Sequence, residues 1–160
     1  MKNKSLILKT LTAALLCALL CCAVSAAFAQ KLTCIVAEGQ YVNVRNQPSS
    51  GASALGMLHT DDVIETNPHE IKNGFFKTTF KDREAYVSVM YFEIEAGEDY
   101  MVSANGRVRM RKSPAGSLSG FIQPGTRVHV LAWRYAKDGS LWARCAGGSY
   151  ISASCLSSQE

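Results

Sequence analysis

Six cysteines and three histidines are among the side chains in this chain that could ligate a metal or act as nucleophile and base. His59, His69 and His129 stand singly, whereas zinc ligands come in closely spaced pairs, so no metal site is expected. A cysteine nucleophile needs an imidazole partner and a setting that lowers its pKa. Cys34 with His59 or His69 would be the only pairing to consider. Cys34 falls in a predicted opening strand with no helix terminus to stabilise a thiolate, so no catalytic residue and no cofactor is expected.

Three of the six cysteines, Cys17, Cys21 and Cys22, lie in a leader. Lys2 and Lys4 precede an apolar run from Leu11 to Val24, which ends at Ala27-Phe28-Ala29. This is the three-part pattern of a secretory signal, predicted as a helix over residues 1–29 and cleaved before Gln30. The small-x-small ending favours cleavage over retention as a spanning anchor. Leu20 before Cys21 disfavours a lipidation signal, which wants a small residue there. No later segment is apolar enough to span a membrane, so the chain is expected to be exported, to the periplasm or beyond the cell, away from nucleic acid. Cys34, Cys145 and Cys155 remain, an odd count that in an oxidising compartment suggests one disulfide and one spare thiol.

Charge divides unevenly along what is left. From Gln30 to Gly97 acids outnumber bases by three, while from Glu98 onward bases outnumber acids by four. The two parts therefore present different fields to a partner, or pair with each other.

The elements that must position any site come in two copies. Tyr41-Val42-Asn43-Val44-Arg45-Asn46-Gln47-Pro48 is echoed by Arg107-Val108-Arg109-Met110-Arg111-Lys112-Ser113-Pro114. Gly56 to Ile64 is echoed by Gly120 to Val128. Phe76-Lys77-Thr78-Thr79 before Tyr86-Val87-Ser88 matches Trp142-Ala143-Arg144-Cys145 before Tyr150-Ile151-Ser152. Three blocks in one order mark an internal repeat. Alternation at Val42/Val44 and Val108/Met110 predicts short half-buried strands, which Pro48 and Pro114 stop. Thr126 to Tyr135 predicts a longer strand closed by a tight hairpin at Lys137-Asp138-Gly139. No sustained helical periodicity follows Gln30, so the chain is predicted to be all-β: two tandem small β-barrels, over residues 32–95 and 99–158, joined near Glu95 to Tyr100.

Asn43-Val44-Arg45 with a polar pair and Pro48, the turn Gly56 to Leu58, Phe76-Lys77 and Tyr86-Val87-Ser88 together resemble the bacterial SH3-like (Src-homology-3-like) domain family. The second copy is similar to it through Arg109-Met110-Arg111, Gly120, Trp142 and Tyr150-Ile151-Ser152. It departs at Asp61, which stands where Gly125 does in the other copy, and at Phe76, which replaces the tryptophan kept at Trp142. Asp tolerates the left-handed conformation better than most residues, so the turn at Asp61 stays plausible.

The resemblance implies a binding groove lined by aromatic and polar side chains. Carried onto this sequence, it offers Tyr41, Asn43, Arg45, Phe75 and Tyr91 in the first copy, and Arg109, Arg111, Trp133, Tyr135 and Trp142 in the second. Small cores also need aromatic area, and Phe76, Trp142, Tyr86 and Tyr150 are expected to supply it. Arg45 and Arg111 could equally pack their stems and bond loop carbonyls. The same fold would bring Cys145 and Cys155 near each other, making them the disulfide candidate.

The function implied is non-enzymatic recognition of cell-wall peptides (peptidoglycan) or another envelope component. The alternatives are an adaptor between envelope proteins and an accessory subunit of a cell-wall hydrolase.

Overall fold

The computed structural model describes residues 30–67 and 69–158, so the signal expected at residues 1–29 lies outside the described residues. The described chain is all-β, as its alternation implies. Its elements are β1 (Gln30–Cys34), β2 (Val42–Arg45), β3 (Ala54–Leu58), β4 (Val63–Thr66), β5 (Phe75–Phe80) and β6 (Arg83–Ser88), then a 3-10 turn (Val89–Tyr91). There follow β7 (Phe92–Val102), β8 (Val108–Arg111), β9 (Leu118–Ile122), β10 (Arg127–Tyr135), β11 (Leu141–Cys145) and β12 (Tyr150–Ser152), a second 3-10 turn (Ala153–Cys155), and β13 (Leu156–Ser158). Among the described residues no helix is long and apolar enough to cross a membrane, and no cluster of His, Cys, Asp and Glu could hold a metal.

Strands β1, β2, β4, β5 and β6 bury alternate residues, as a period of two selects. Leu32 and Cys34 of β1, Val42 and Val44 of β2, Phe76 of β5, and Ala85 and Val87 of β6 meet in one core with Ile64 and Phe92. Val102, Val108, Val130, Ala143, Cys145 and Ile151 form a second. β3-β2-β6-β5 make a four-stranded sheet, and the remaining strands run β4-β1-β7-β10-β11-β12-β8-β9, with β13 on β7.

Glu95 to Tyr100, expected to connect two units, instead lies inside β7. That strand starts against β1, with Cys34 opposite Phe92, and ends against β13, with Leu156 opposite Val102. Its middle bends at Gly97 (φ 149°), a conformation that side chains rarely adopt, and β10 shifts register opposite it between Val130 and Ala132. The bend lets one continuous strand serve both cores. β10 passes the same irregularity, so Val130 is buried in the second core while Tyr135 packs on the first. The expected hairpin closes β10 onto β11, with Gly139 at φ 85°.

The repeat is visible in backbone bonds. The Asp61 and Gly125 amides donate to the Cys34 and Val102 carbonyls at 3.0 and 2.8 Å. Both residues have positive φ, 67° and 77°, so aspartate does adopt the left-handed turn that glycine occupies in the other half.

Candidate ligand-binding grooves

Equivalent positions follow from the pairing. β2 breaks register on β3 just before Arg45, and β8 on β9 just before Arg111. Arg45 then lies opposite Tyr86, and Arg111 opposite Tyr150. Each guanidinium turns back to its own loop: Arg45 Nη1 donates to the Ala52 carbonyl at 2.5 Å, and Arg111 Nη1 to the Gly116 carbonyl at 2.6 Å. The loop-bonding role expected of these arginines is therefore present, at the edge of each groove.

Phe75 faces Ser88 across β5–β6, and Trp142 faces Ser152 across β11–β12. Trp142 thus matches Phe75, and the sequence matching of Trp142 with Phe76 is out by one residue. A one-residue step in a strand reverses the face, and the burial shows it. Phe76 and its true counterpart Ala143 are fully buried, while Phe75 and Trp142 are half-buried. Of the four aromatics expected in the cores, Phe76 and Tyr150 are buried. Tyr86 and Trp142 are half-buried, because Tyr86 directs its hydroxyl to Glu84 at 2.7 Å and Trp142 its indole N–H to Ser140 Oγ at 2.8 Å.

All five first-copy candidates meet. Tyr41, Asn43, Arg45, Phe75 and Tyr91 line one groove of about 420 Å³ with Ser88 and Met90. Strand alternation places Asn43 and Arg45 on the face opposite Val42 and Val44, and Tyr41 and Tyr91 stay about half exposed, 54 % and 44 %. The surface offers aromatic faces and amide-bonding groups, which suit a peptide or a sugar.

Only three second-copy candidates meet. Arg109, Arg111 and Trp142 line a shallow groove of about 640 Å³ with Arg107, Phe121, Ser152 and Cys155. Arg107, at the position of Tyr41, and Phe121 were missed, although Arg107 continues the alternation of Arg109 and Arg111 by one step. Arg107 stacks over Phe121 at 4.6 Å and Arg111 over Trp142 at 5.7 Å. The ion pairs among the described residues involve none of these three arginines, so the groove is a cationic surface fitted to anionic groups.

Trp133 and Tyr135 do not line this second groove, a correction to their expected place, although Tyr135 lines a separate cavity beside Lys137. Trp133 packs on the second core, edge-on to Tyr100 with ring centres 5.2 Å apart. Tyr135 packs edge-on to Phe76 of the first core at 5.5 Å, because β10 runs on past its bulge. Burial raises the Tyr135 pKa accordingly.

The expected Cys145–Cys155 disulfide is also corrected, since Cys34, Cys145 and Cys155 are all free thiols. Cys145 points into the second core from β11, its Sγ 3.9 Å from the Ala143 carbonyl, whereas Cys155 sits on the 3-10 turn at the groove edge, its Sγ 4.0 Å from Ser154 Oγ. Burial pushes the Cys145 thiol up in pKa. Burial does the same to Cys34, against a smaller lowering by a backbone bond from Val36, which disfavours a thiolate there.

No family model matches the chain, and no curated protein matches it. Among solved structures it is similar to NlpC2 from Trichomonas vaginalis, at 13 % identity and a TM-score of 0.35 over 82 % of this chain and 48 % of that one. NlpC1 from the same organism is similar at 14 % identity and a TM-score of 0.35, over 82 % and 46 %. The chain thus spans about half the length of each. At these values the likeness assigns neither activity nor ligand.

Proposed function

We propose that this is an exported, non-enzymatic binding protein of two SH3-like modules that recognises peptidoglycan peptides or another cell-envelope component. The observation that carries the reading is the recurrence of one groove at six matched positions. Tyr41, Asn43, Arg45, Phe75, Ser88 and Tyr91 in the first half correspond to Arg107, Arg109, Arg111, Trp142, Ser152 and Cys155 in the second. Concave aromatic surfaces with a few polar groups are suited to binding a ligand that ends up partly desolvated.

Retention by purified sacculi across a salt series tests it. Phe75→Ala and Trp142→Ala should each lower retention severalfold, with a component that survives added salt, because charge-driven adsorption fades over the Debye range. Retention unaffected by both substitutions, or abolished by salt alone, overturns the reading. A second reading, an adaptor between envelope proteins, is favoured by the difference in chemistry: the first groove is aromatic and amide-lined, the second carries three arginines. Capture of envelope proteins, with no retention on sacculi, would select that alternative.

A further inference from the structure

The first groove is not walled by the first half alone. Lys137, at the tip of the β10–β11 hairpin, lines it beside Met90. The same two residues line an adjoining cavity of about 340 Å³, whose other walls include Pro114, Ala115, Tyr135 and Ala136. Lys137 and Met90 therefore form the sill between two compartments, one aromatic and polar, the other largely apolar.

Several contacts hold this arrangement. A Cβ added to Gly74 would lie 3.4 Å from Lys137 Cβ and Cγ, so the hairpin rests on a glycine whose φ of 78° also excludes most side chains. The Met90 carbonyl accepts a bond from Arg134 Nη2, whose Nη1 donates to the Tyr150 hydroxyl at 3.0 Å. At the hairpin tip Asp138 Oδ1 accepts from the Ser140 hydroxyl and amide at 2.6 and 2.9 Å. In the far wall Ala115 holds φ 52°, a costly conformation for a residue with a Cβ, of the kind that gathers at ligand sites.

Three of the four charged side chains along the two compartments are held by hydrogen bonds, although Arg134 Nε is buried without a partner. Arg45 bonds Ala52, Arg134 bonds Met90 and Tyr150, and Asp138 bonds Ser140. Lys137 enters no ion pair among the described residues.

We infer that the first groove and the junction cavity are one elongated site for an extended peptide, which crosses from the first half to the second. Lys137 takes a ligand carboxylate, and the junction cavity takes an adjacent small apolar side chain. This rests on the wall-peptide reading and deepens it, since it makes a residue of the second half a specificity determinant of the first groove.

The probe is the tetrapeptide L-alanyl-γ-D-glutamyl-meso-diaminopimelyl-D-alanine, compared with the same peptide amidated at its C-terminal carboxyl, by calorimetry and amide chemical shifts on the whole protein. The acid form should bind more tightly, and Lys137→Gln should weaken it about tenfold and erase the preference over the amide, as expected for a lost charge-assisted bond. Lys137→Arg should keep most of the preference. The Ala115 and Ala136 amides should shift on titration together with those of Phe75 and Tyr91. Binding with shifts confined to the first half, or unchanged by Lys137→Gln, overturns the composite site and leaves the wall-peptide reading standing. Absence of binding by either peptide overturns both.

Discussion

Phe75 and Phe76 show how much one residue decides in a strand. Phe76 is fully buried, with Phe92 and Tyr135 edge-on to its ring at 6.4 and 5.5 Å. Phe75 is half-buried in the groove wall. Phe76→Ala should cost about 3–5 kcal/mol in chemical denaturation, from lost transfer energy and the void left behind. Phe75→Ala should cost about 1 kcal/mol or less, as for side chains outside a core. The second half reverses the sizes, with Trp142 at the groove and Ala143 in the core. Equal losses for Phe75→Ala and Phe76→Ala would refute the assignment of faces.

At the scale of elements, the β10–β11 hairpin does work in both halves: its strand ends pack Trp133 on one core and Tyr135 on the other, and its tip reaches the first groove. The tip is held by Asp138, whose carboxyl lies below its ordinary 3.8 because of the Ser140 hydroxyl and then the Ser140 amide. A carboxyl lowered on folding stabilises fully above its unfolded value, and that contribution is lost as pH falls through the lower folded value. The hairpin should therefore stay ordered through neutral and mildly acidic pH and loosen only below the ordinary carboxylate range. The Trp142 indole N–H resonance, bonded to Ser140 Oγ, reports this directly. A change in that resonance centred near neutral pH would contradict it, and in Asp138→Ala the acid step should vanish.

For the molecule as a whole, the question is whether two cores behave as one body. β7 pairs with strands of both, and Glu93 of β7 takes Arg144 of β11 in a two-point ion pair, Nη2 to Oε1 at 3.0 Å and Nε to Oε2 at 3.3 Å. Glu93 is 14 % exposed and Arg144 31 %, so solvent screens the pair only in part. Glu93→Gln should cost about 1–2 kcal/mol, within the range for bonds to charged groups. Both tryptophans, Trp133 and Trp142, belong to the second half, so their fluorescence follows that core alone. Amide signals of Phe76 and Val87 follow the first. The two probes should trace one coincident unfolding transition; two separated transitions would show that β7 does not couple the cores.

Legibility followed the range of the interactions. Alternation at Val42/Val44 and Val108/Met110 sufficed to establish β structure, because burial on one strand face is written locally in the period of two. Tyr41, Asn43, Arg45, Phe75 and Tyr91 came from the family resemblance rather than from alternation, and they meet because neighbouring strands and one turn bring them together within a single copy. Strand pairing decided the rest. The equivalence of the copies could not be read from Phe75-Phe76, since Trp142 resembles either aromatic, so only the cross-strand partners Ser88 and Ser152 match it to Phe75. The placement of Tyr135 on the first core, the inclusion of Glu95 to Tyr100 in a strand shared by both halves and the arrival of Lys137 in the first groove all depend on contacts between segments distant in sequence. Such contacts are set by how two sheets twist and bend past Gly97, a choice that no local pattern of residues encodes.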